Sequence, residues 1–382
     1  MFVSKLAHKG MELAKIVHLL DLYCLPHLAE KWDNVGLIVE PSPPHSVKKI
    51  FITNDLTEQV LDEAISQKSD LIISYHPPIF SPLKKLTQQH WKQRIVVRCL
   101  ENRIAIFSPH TGLDAKVGGI NDWLLEPLAV KHKENLSRSP VVNQTLARLN
   151  IVMNQNFADF VISTGVSVCT VNVQSDSGTI AVVTCTESDL KRTLDAAEER
   201  QISVISKDTI PKTDGEGCGR LVTLHFPVHL KAVIAAYKKF LNLEHLTVAL
   251  GQGKTLDDLI QTVAVCAGSG GSLLCQTPLA FTADLFLTGE LSHHDRLEAV
   301  SRGISVILAG HSVTERGFFK DRFIPDFRQL LTTVSNFGDV PHLQLVLSDT
   351  DHEPGSLRFL EAFFGDNYFY FKLIKEVSIW QV

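Results

Sequence analysis

The sequence predicts an α/β fold of two similar lobes, arising by internal duplication, with an α+β module inserted between them. Two observations carry that prediction. Apolar strand-like runs alternate with helical patterns in both halves, which is the mark of parallel strands joined by crossover helices. The pattern of histidine, hydroxyl residue, two spacers and acid also occurs twice, as His110-Thr111-Gly112-Leu113-Asp114 and His311-Ser312-Val313-Thr314-Glu315. Each copy follows an apolar run, 104–107 or 304–308. A histidine and a carboxylate four residues apart share a face when the turn after the strand is helical, so one metal ion can take both. The two halves are then expected to build one site together.

The elements follow in order. Residues 11–30 read as a helix, with Leu13, Ile16, Val17 and Leu20 on its apolar face and a stop near Pro26. Trp32-Asp33-Asn34-Val35-Gly36-Leu37-Ile38-Val39 leads into a strand, and strand-like runs recur at 49–53, 71–74 and 104–107. The second half repeats the order with Val263–Cys266, Asp284–Leu287 and 304–308. His76 follows the middle run of the first half, and His293 and His294 follow that of the second. Between the halves, residues 138–212 are rich in Ser, Thr, Val and Asn, with β-alternation over 158–173 and 178–185 and a helical pattern over 188–199. The expected domains are therefore a first lobe over 1–137, an inserted module over 138–212 and a second lobe over 213–356. The aromatic-rich tail, 357–382, has no clear period, and an added strand, a partner surface and an atypical C-terminus all remain open for it.

Composition narrows the class. A chain of 382 residues with 45% hydrophobic and 21% charged residues suits a soluble globular protein of two or three domains. A net charge of −5 without a Lys/Arg-rich run offers nucleic acid no basic stripe. Seven cysteines without a C-x-x-C pair argue for a reducing compartment. No apolar run reaches the roughly 18 residues of a membrane span. The N-terminus lacks a secretory h-region; its mildly basic, amphipathic character leaves a weaker mitochondrial-transit reading. The expected location is the cytoplasm, with the nucleus reached by diffusion or escort.

The residues able to do chemistry are His76, His110, Asp114, His311 and Glu315. Imidazoles and carboxylates suit zinc, iron(II) and manganese, and a bridging carboxylate can serve two ions. All five are expected at the carboxyl ends of parallel strands, where open α/β sheets bind ligands. The plainer alternative is that the histidines cap helices and the acids are solvated. His293 and His294 either orient ligands and move protons or simply open a helix capped by Ser292. Gly251-Gln252-Gly253-Lys254-Thr255 ends like a P-loop, but Val248 stands where the leading glycine belongs. Gly268-Ser269-Gly270-Gly271-Ser272 is not a dinucleotide fingerprint and reads as a tight turn. No G-x-S-x-G elbow is present.

Five segments together resemble the NIF3-like family, grouped with the so-called GTP cyclohydrolase 1 type 2 proteins. They are Trp32–Leu37, Ser74–Phe80, Ser108–Ala115, Thr288–Asp295 and His311–Arg316, with the likeness strongest to eukaryotic members. The resemblance implies a dinuclear metal site in the cleft between two lobes, a toroidal homo-hexamer and, in many members, an inserted module. It carries the ligand role onto His76, Asp114, His311 and Glu315. Where the bacterial pattern has two adjacent histidines, this chain has Tyr75-His76, so one ligand is missing or replaced by a phenol. The family's substrate is not settled. The resemblance implies a metal-dependent hydrolase acting on a nucleotide-like compound or, alternatively, a non-enzymatic oligomeric adaptor with partners in transcriptional corepression.

Overall fold

The computed structural model describes residues 10–138, 146–175, 178–186, 189–210, 216–335, 343–355, 360–365 and 368–373. The first sheet has five strands, in the order Gln344–Leu347, Lys49–Thr53, Leu71–Ser74, Ala105–Ser108 and Gly36–Val39. The first four run parallel, and Gly36–Val39 closes the edge antiparallel. Its central strands are buried on both faces, which is why they read as continuous apolar runs rather than alternating ones. Alternation instead divides two cores. Phe51, Ile72 and Ile106 pack with Val60, Leu61, Ile95 and Val96 of the helices Glu58–Ser66 and Trp91–Glu101. Ile50, Ile52, Leu71, Ile73 and Phe107 face the main core on the other side.

The second sheet has six strands, in the order Thr247–Ala249, Ser305–Leu308, Leu285–Glu290, Leu259–Ser269, Gly217–His229 and Val130–Arg138. Its parallel trio is Leu259–Ser269, Leu285–Glu290 and Ser305–Leu308. The two sheets exchange edge strands. Val130–Arg138, from the stretch read as the first lobe, pairs with Gly217–His229 in the second sheet. Gln344–Leu347, from the stretch read as the second, pairs with Lys49–Thr53 in the first. Residues up to Asp351 accordingly form one compact unit.

Two sequence expectations are corrected. The N-terminal helix spans Leu13–Cys24 and not 11–30, because Leu25 precedes Pro26 and leaves the helical region for φ 51°. The β-alternation over 158–173 is half helix. Phe157, Phe160, Val161 and Thr164 are buried at helical spacing over Phe157–Thr164, and Gly165 ends that helix at φ 69°. The strand then occupies Ser167–Ser175. With Val204–Ile210, Leu146–Val152 and Gly178–Thr186 it forms a four-stranded antiparallel sheet. This sheet and the helix Leu190–Glu199 enclose a core of their own that includes Leu149, Ile151, Phe160 and Val183. A separate unit from His352 onward contains the hairpin Leu360–Gly365 and Tyr368–Leu373, paired Phe363 to Tyr370 and Phe364 to Phe369.

Arg220, in the Gly217–His229 strand, is completely buried. Its Nε donates to Asp122 Oδ1 at 2.8 Å, and its terminal nitrogens donate to the carbonyls of Gly217 (2.6 Å), Gly219 (2.9 Å) and Lys116 (3.2 Å). Asp122 also takes Lys133 Nζ at 2.9 Å and the Gly118 amide at 2.7 Å. Burial alone would raise the Asp122 carboxyl; the Arg220 guanidinium, followed by Lys133 and Gly118, holds it below the usual range. Removing one member of a buried ion pair strands the other charge. Arg220→Met should therefore cost about 3–5 kcal/mol in urea unfolding at pH 7. A depressed carboxyl stabilises the fold above its unfolded pKa, near about 3.9, and loses that contribution as pH falls through its folded value. The gap between wild type and Arg220→Met should therefore narrow as the titration is carried below about pH 4.

Candidate metal centre

Each of the six parallel strands other than Gln344–Leu347 delivers a polar or permissive residue to one place. Asn54 and Asp55 follow Lys49–Thr53, Tyr75 and His76 follow Leu71–Ser74, and His110 follows Ala105–Ser108. From the other sheet come Gly268 and Glu290, near the ends of Leu259–Ser269 and Leu285–Glu290, and His311, just past Ser305–Leu308. Glu315 stands one helical turn beyond His311, in the helix Val313–Phe318. Carboxyl strand ends are where parallel sheets leave the backbone pairing and release side chains to a ligand.

Among the described residues, His76, His311 and Glu315 place ligand atoms within 4.8 Å of one another. The Glu315 side chain is only 3% exposed, and its two oxygens are shared. Oε2 lies 3.5 Å from His76 Nε2 and accepts the Asn54 amide at 3.1 Å; Oε1 lies 3.4 Å from His311 Nε2. Each imidazole is held from behind by a carboxylate on Nδ1, His76 by Asp55 at 2.8 Å and His311 by Glu290 at 2.9 Å. This back-bonding fixes both rings with Nε2 facing the shared point. In this cluster burial alone would lower the His76 imidazole, yet Asp55 and Glu315 raise it to about 10. The surrounding carboxylates favour positive charge at this point.

Among the described residues, the group of ligand atoms within 4.8 Å does not include Asp114 or His110. Burial raises the Asp114 carboxyl to about 6, against the pull of His110 and Tyr75, and the Glu315 charge adds to the rise. Tyr75 is buried and donates its phenol to Asp114 Oδ1 at 2.7 Å. Burial, then the Asp114 and Glu315 charges, push that phenol well above its ordinary value, so it stays protonated. His110 adopts φ 29°, a strained conformation for a residue with a Cβ. Its Nδ1 meets Asp33 at 2.7 Å, the same carboxylate backing that His76 and His311 receive. Burial disfavours the Asp33 charge, but His110, Thr111 and the Asn34 amide hold its carboxyl below the usual range. The His110 ring lies 5.4 Å from the ring of His76.

His293 and His294 are exposed in the first turn of the helix His293–Ser301, with their rings 5.4 Å apart. Ser292 caps that helix, accepting the Asp295 amide at 3.2 Å. The structure does not bring these two histidines into the ligand cluster. Sequence reasoning also passed over Asp33, Asp55 and Glu290, the three carboxylates behind the imidazoles. Each stands close to a strand, a position that by itself does not mark an acid as the partner of an imidazole. Gly268, read as part of a tight turn, sits at φ 61° against Glu315 and His311.

The chain is similar throughout to known proteins. It is 41% identical over 367 residues to NIF3-like protein 1 of Bos taurus, covering 90% of this chain and 92% of that protein. It is 28% identical over 321 residues to NGG1-interacting factor 3 of Saccharomyces cerevisiae, covering 81% of this chain and 88% of that one. A Bacillus cereus protein related to NIF3 shares the fold at TM-score 0.66 and 22% identity, over 90% of this chain and 98% of that chain. Reduced HcgD from Methanocaldococcus jannaschii does so at TM-score 0.55 and 19% identity, over 89% and 98%. The model of the Duf34/NIF3 (NGG1p interacting factor 3) family matches residues 11–342, and this chain belongs to that family.

Proposed function

We propose that this protein is a metal-dependent hydrolase of a nucleotide-like or other heterocyclic compound, with His76, His311 and Glu315 holding a divalent ion and Asp114 completing the site. The carrying observation is the pair of imidazoles, each backed on Nδ1 and aimed through Nε2 at a buried carboxylate. Two further features suit an ion. Asn54 Oδ1 is buried beside the cluster with no hydrogen-bond partner among the described residues. A Cβ on Gly268 would lie 3.1 Å from His311 Nε2 and closer still to Glu315. Zinc, iron(II) and manganese all match this donor set.

A bound ion of this kind supplies Lewis acidity and lowers the pKa of a bound water. Glu315 and the two imidazoles fix its place, and Asp55 and Glu290 fix the imidazoles. Asp114 is held in place by the Tyr75 phenol, which donates to its Oδ1. His293 and His294, exposed just beyond Glu290, suit proton exchange with solvent. We read the two parallel trios as products of an internal duplication that placed the site in a cleft between lobes. We further propose a homo-hexamer; the exposed apolar side chains Phe226 and Leu259 on the second sheet favour self-association.

A second reading is favoured by Tyr75. Its phenol is committed to Asp114 where the bacterial pattern has a second histidine, leaving a second ion short of a ligand. In that reading the protein is an oligomeric adaptor with a single structural ion and partners in transcriptional regulation; the yeast relative's name, NGG1-interacting factor 3, is that of a protein that binds another protein. Partner binding would then survive loss of the metal ligands.

Metal analysis tests the ion on which both readings rest. Protein dialysed against zinc, iron(II) or manganese should hold at least about one ion per chain, and His311→Ala should lose it. Occupancy well below one ion in the wild type, unchanged by His311→Ala, sinks the metal reading. Tyr75→His should raise the content toward about two ions, because the added imidazole supplies what a second position lacks. Gly268→Ala should weaken binding about 10- to 100-fold in a chelator competition while the far-ultraviolet circular dichroism stays unchanged.

A further inference from the structure

The segment Trp32-Asp33-Asn34 enters the fold beside the metal centre without supplying any of its ligands. Asp33 holds His110 and also accepts the Thr111 amide at 3.1 Å. Asn34 donates to the Ile79 carbonyl, which ties this segment to the loop that carries Phe80. Trp32 and Phe80 then meet at the surface with ring centroids 5.8 Å apart, tilted by 53°. Both remain open to solvent, Trp32 59% and Phe80 45% exposed. Two large aromatic side chains held in contact but left uncovered form a surface that a ligand can complete.

This surface leads inward. The Trp32 and Phe80 rings lie 6.2 and 6.4 Å from the ring of His110; His110 is 5.4 Å from His76, and His76 is 5.3 Å from His311. An unbroken file of rings therefore runs from solvent to the candidate ligands. The same two loops carry exposed Lys31, next to Trp32, and exposed Lys84 and Lys85, just after Phe80. In a chain of net charge −5, three exposed cations within a few residues of these two exposed aromatic rings in the sequence suit a flat ring that bears an anionic group. A second protein surface would instead be expected to meet a broad apolar patch with few charges at its centre.

We propose that Trp32 and Phe80 form a stacking platform for the heteroaromatic base of a mononucleotide, holding it against His110 with its inner edge toward the metal centre and its phosphate toward Lys31, Lys84 and Lys85. This deepens the hydrolase reading by naming a binding surface for its substrate class, and it rests on that reading for the direction in which the ligand points. Asp33 and Asn34 are positioning residues that lock the platform to the site.

The test uses the full-length, metal-loaded protein, with AMP and GMP as probes and ribose 5-phosphate as the probe lacking a base, all measured by titration calorimetry. Stacking on an aromatic ring is tolerant of base identity, and its loss costs about tenfold or more in affinity. Trp32→Ala and Phe80→Ala should each weaken AMP and GMP by at least that factor, while Trp32→Phe keeps most of the affinity. Ribose 5-phosphate should bind all forms equally weakly, with metal content and light-scattering mass unchanged. The proposal is overturned if the wild type binds neither nucleotide, if both alanine variants bind them as the wild type does, or if Trp32→Ala changes the mass, which would make these rings an interface between copies. Metal content, measured separately, distinguishes failure of the metal reading. Nucleotide binding that persists without metal and is lost in Trp32→Ala supports the platform even then.

Discussion

The carboxylate of Glu315 is the constraint around which the rest is arranged. A side chain only 3% exposed cannot carry charge without donors or cations around it. The donors come from both sheets: the Asn54 amide and His76 from the first, His311 from the second. Satisfying one buried acid therefore brings the carboxyl ends of two separate sets of parallel strands to the same point. The imidazoles cannot turn away, because Asp55 and Glu290 hold their far nitrogens. Gly268 leaves the room beside Glu315 and His311 that any side chain would take.

Such a meeting point needs a frame that does not open. The exchange of edge strands supplies one, since Val130–Arg138 and Gln344–Leu347 each join the sheet formed largely by the other stretch of chain. Separating the sheets would break backbone pairing on both sides as well as apolar contacts. Arg220 adds a buried knot of hydrogen bonds to Asp122 and to the carbonyls of Lys116, Gly217 and Gly219. The strained backbone at His110, φ 29°, persists in this frame because Asp33 and Thr111 hold the turn around it.

Much of this was legible in one dimension. The parallel strands were readable because both their faces are buried, which leaves runs such as Leu71-Ile72-Ile73 and Ser305-Val306-Ile307-Leu308 without polar alternation. His76, His311 and Glu315 were readable because they stand just beyond such runs. The helix Phe157–Thr164 has the composition of a strand because Phe and Val favour strands, while packing of Phe160 and Val161 into their own core decided for helix. Asp55 and Glu290 carry no local signature, since an acid behind an imidazole looks like any acid at a strand end.

Periodicity, strand burial and side-chain chemistry are local properties, so the α/β class, the order of the elements and the residue types at strand ends are written directly in the chain. Packing of the whole chain set which sheet each edge strand joins and which carboxylate backs which histidine. It also decided that Tyr75 gives its phenol to Asp114 and leaves Trp32 and Phe80 side by side at the surface. These outcomes depend on contacts between residues far apart in the chain, such as the 297 positions between Asn54 and Asp351 or the 261 between Asn54 and Glu315. No local pattern encodes such pairings. They follow from the cost of leaving a buried charge or a strand edge unsatisfied once the whole chain has packed.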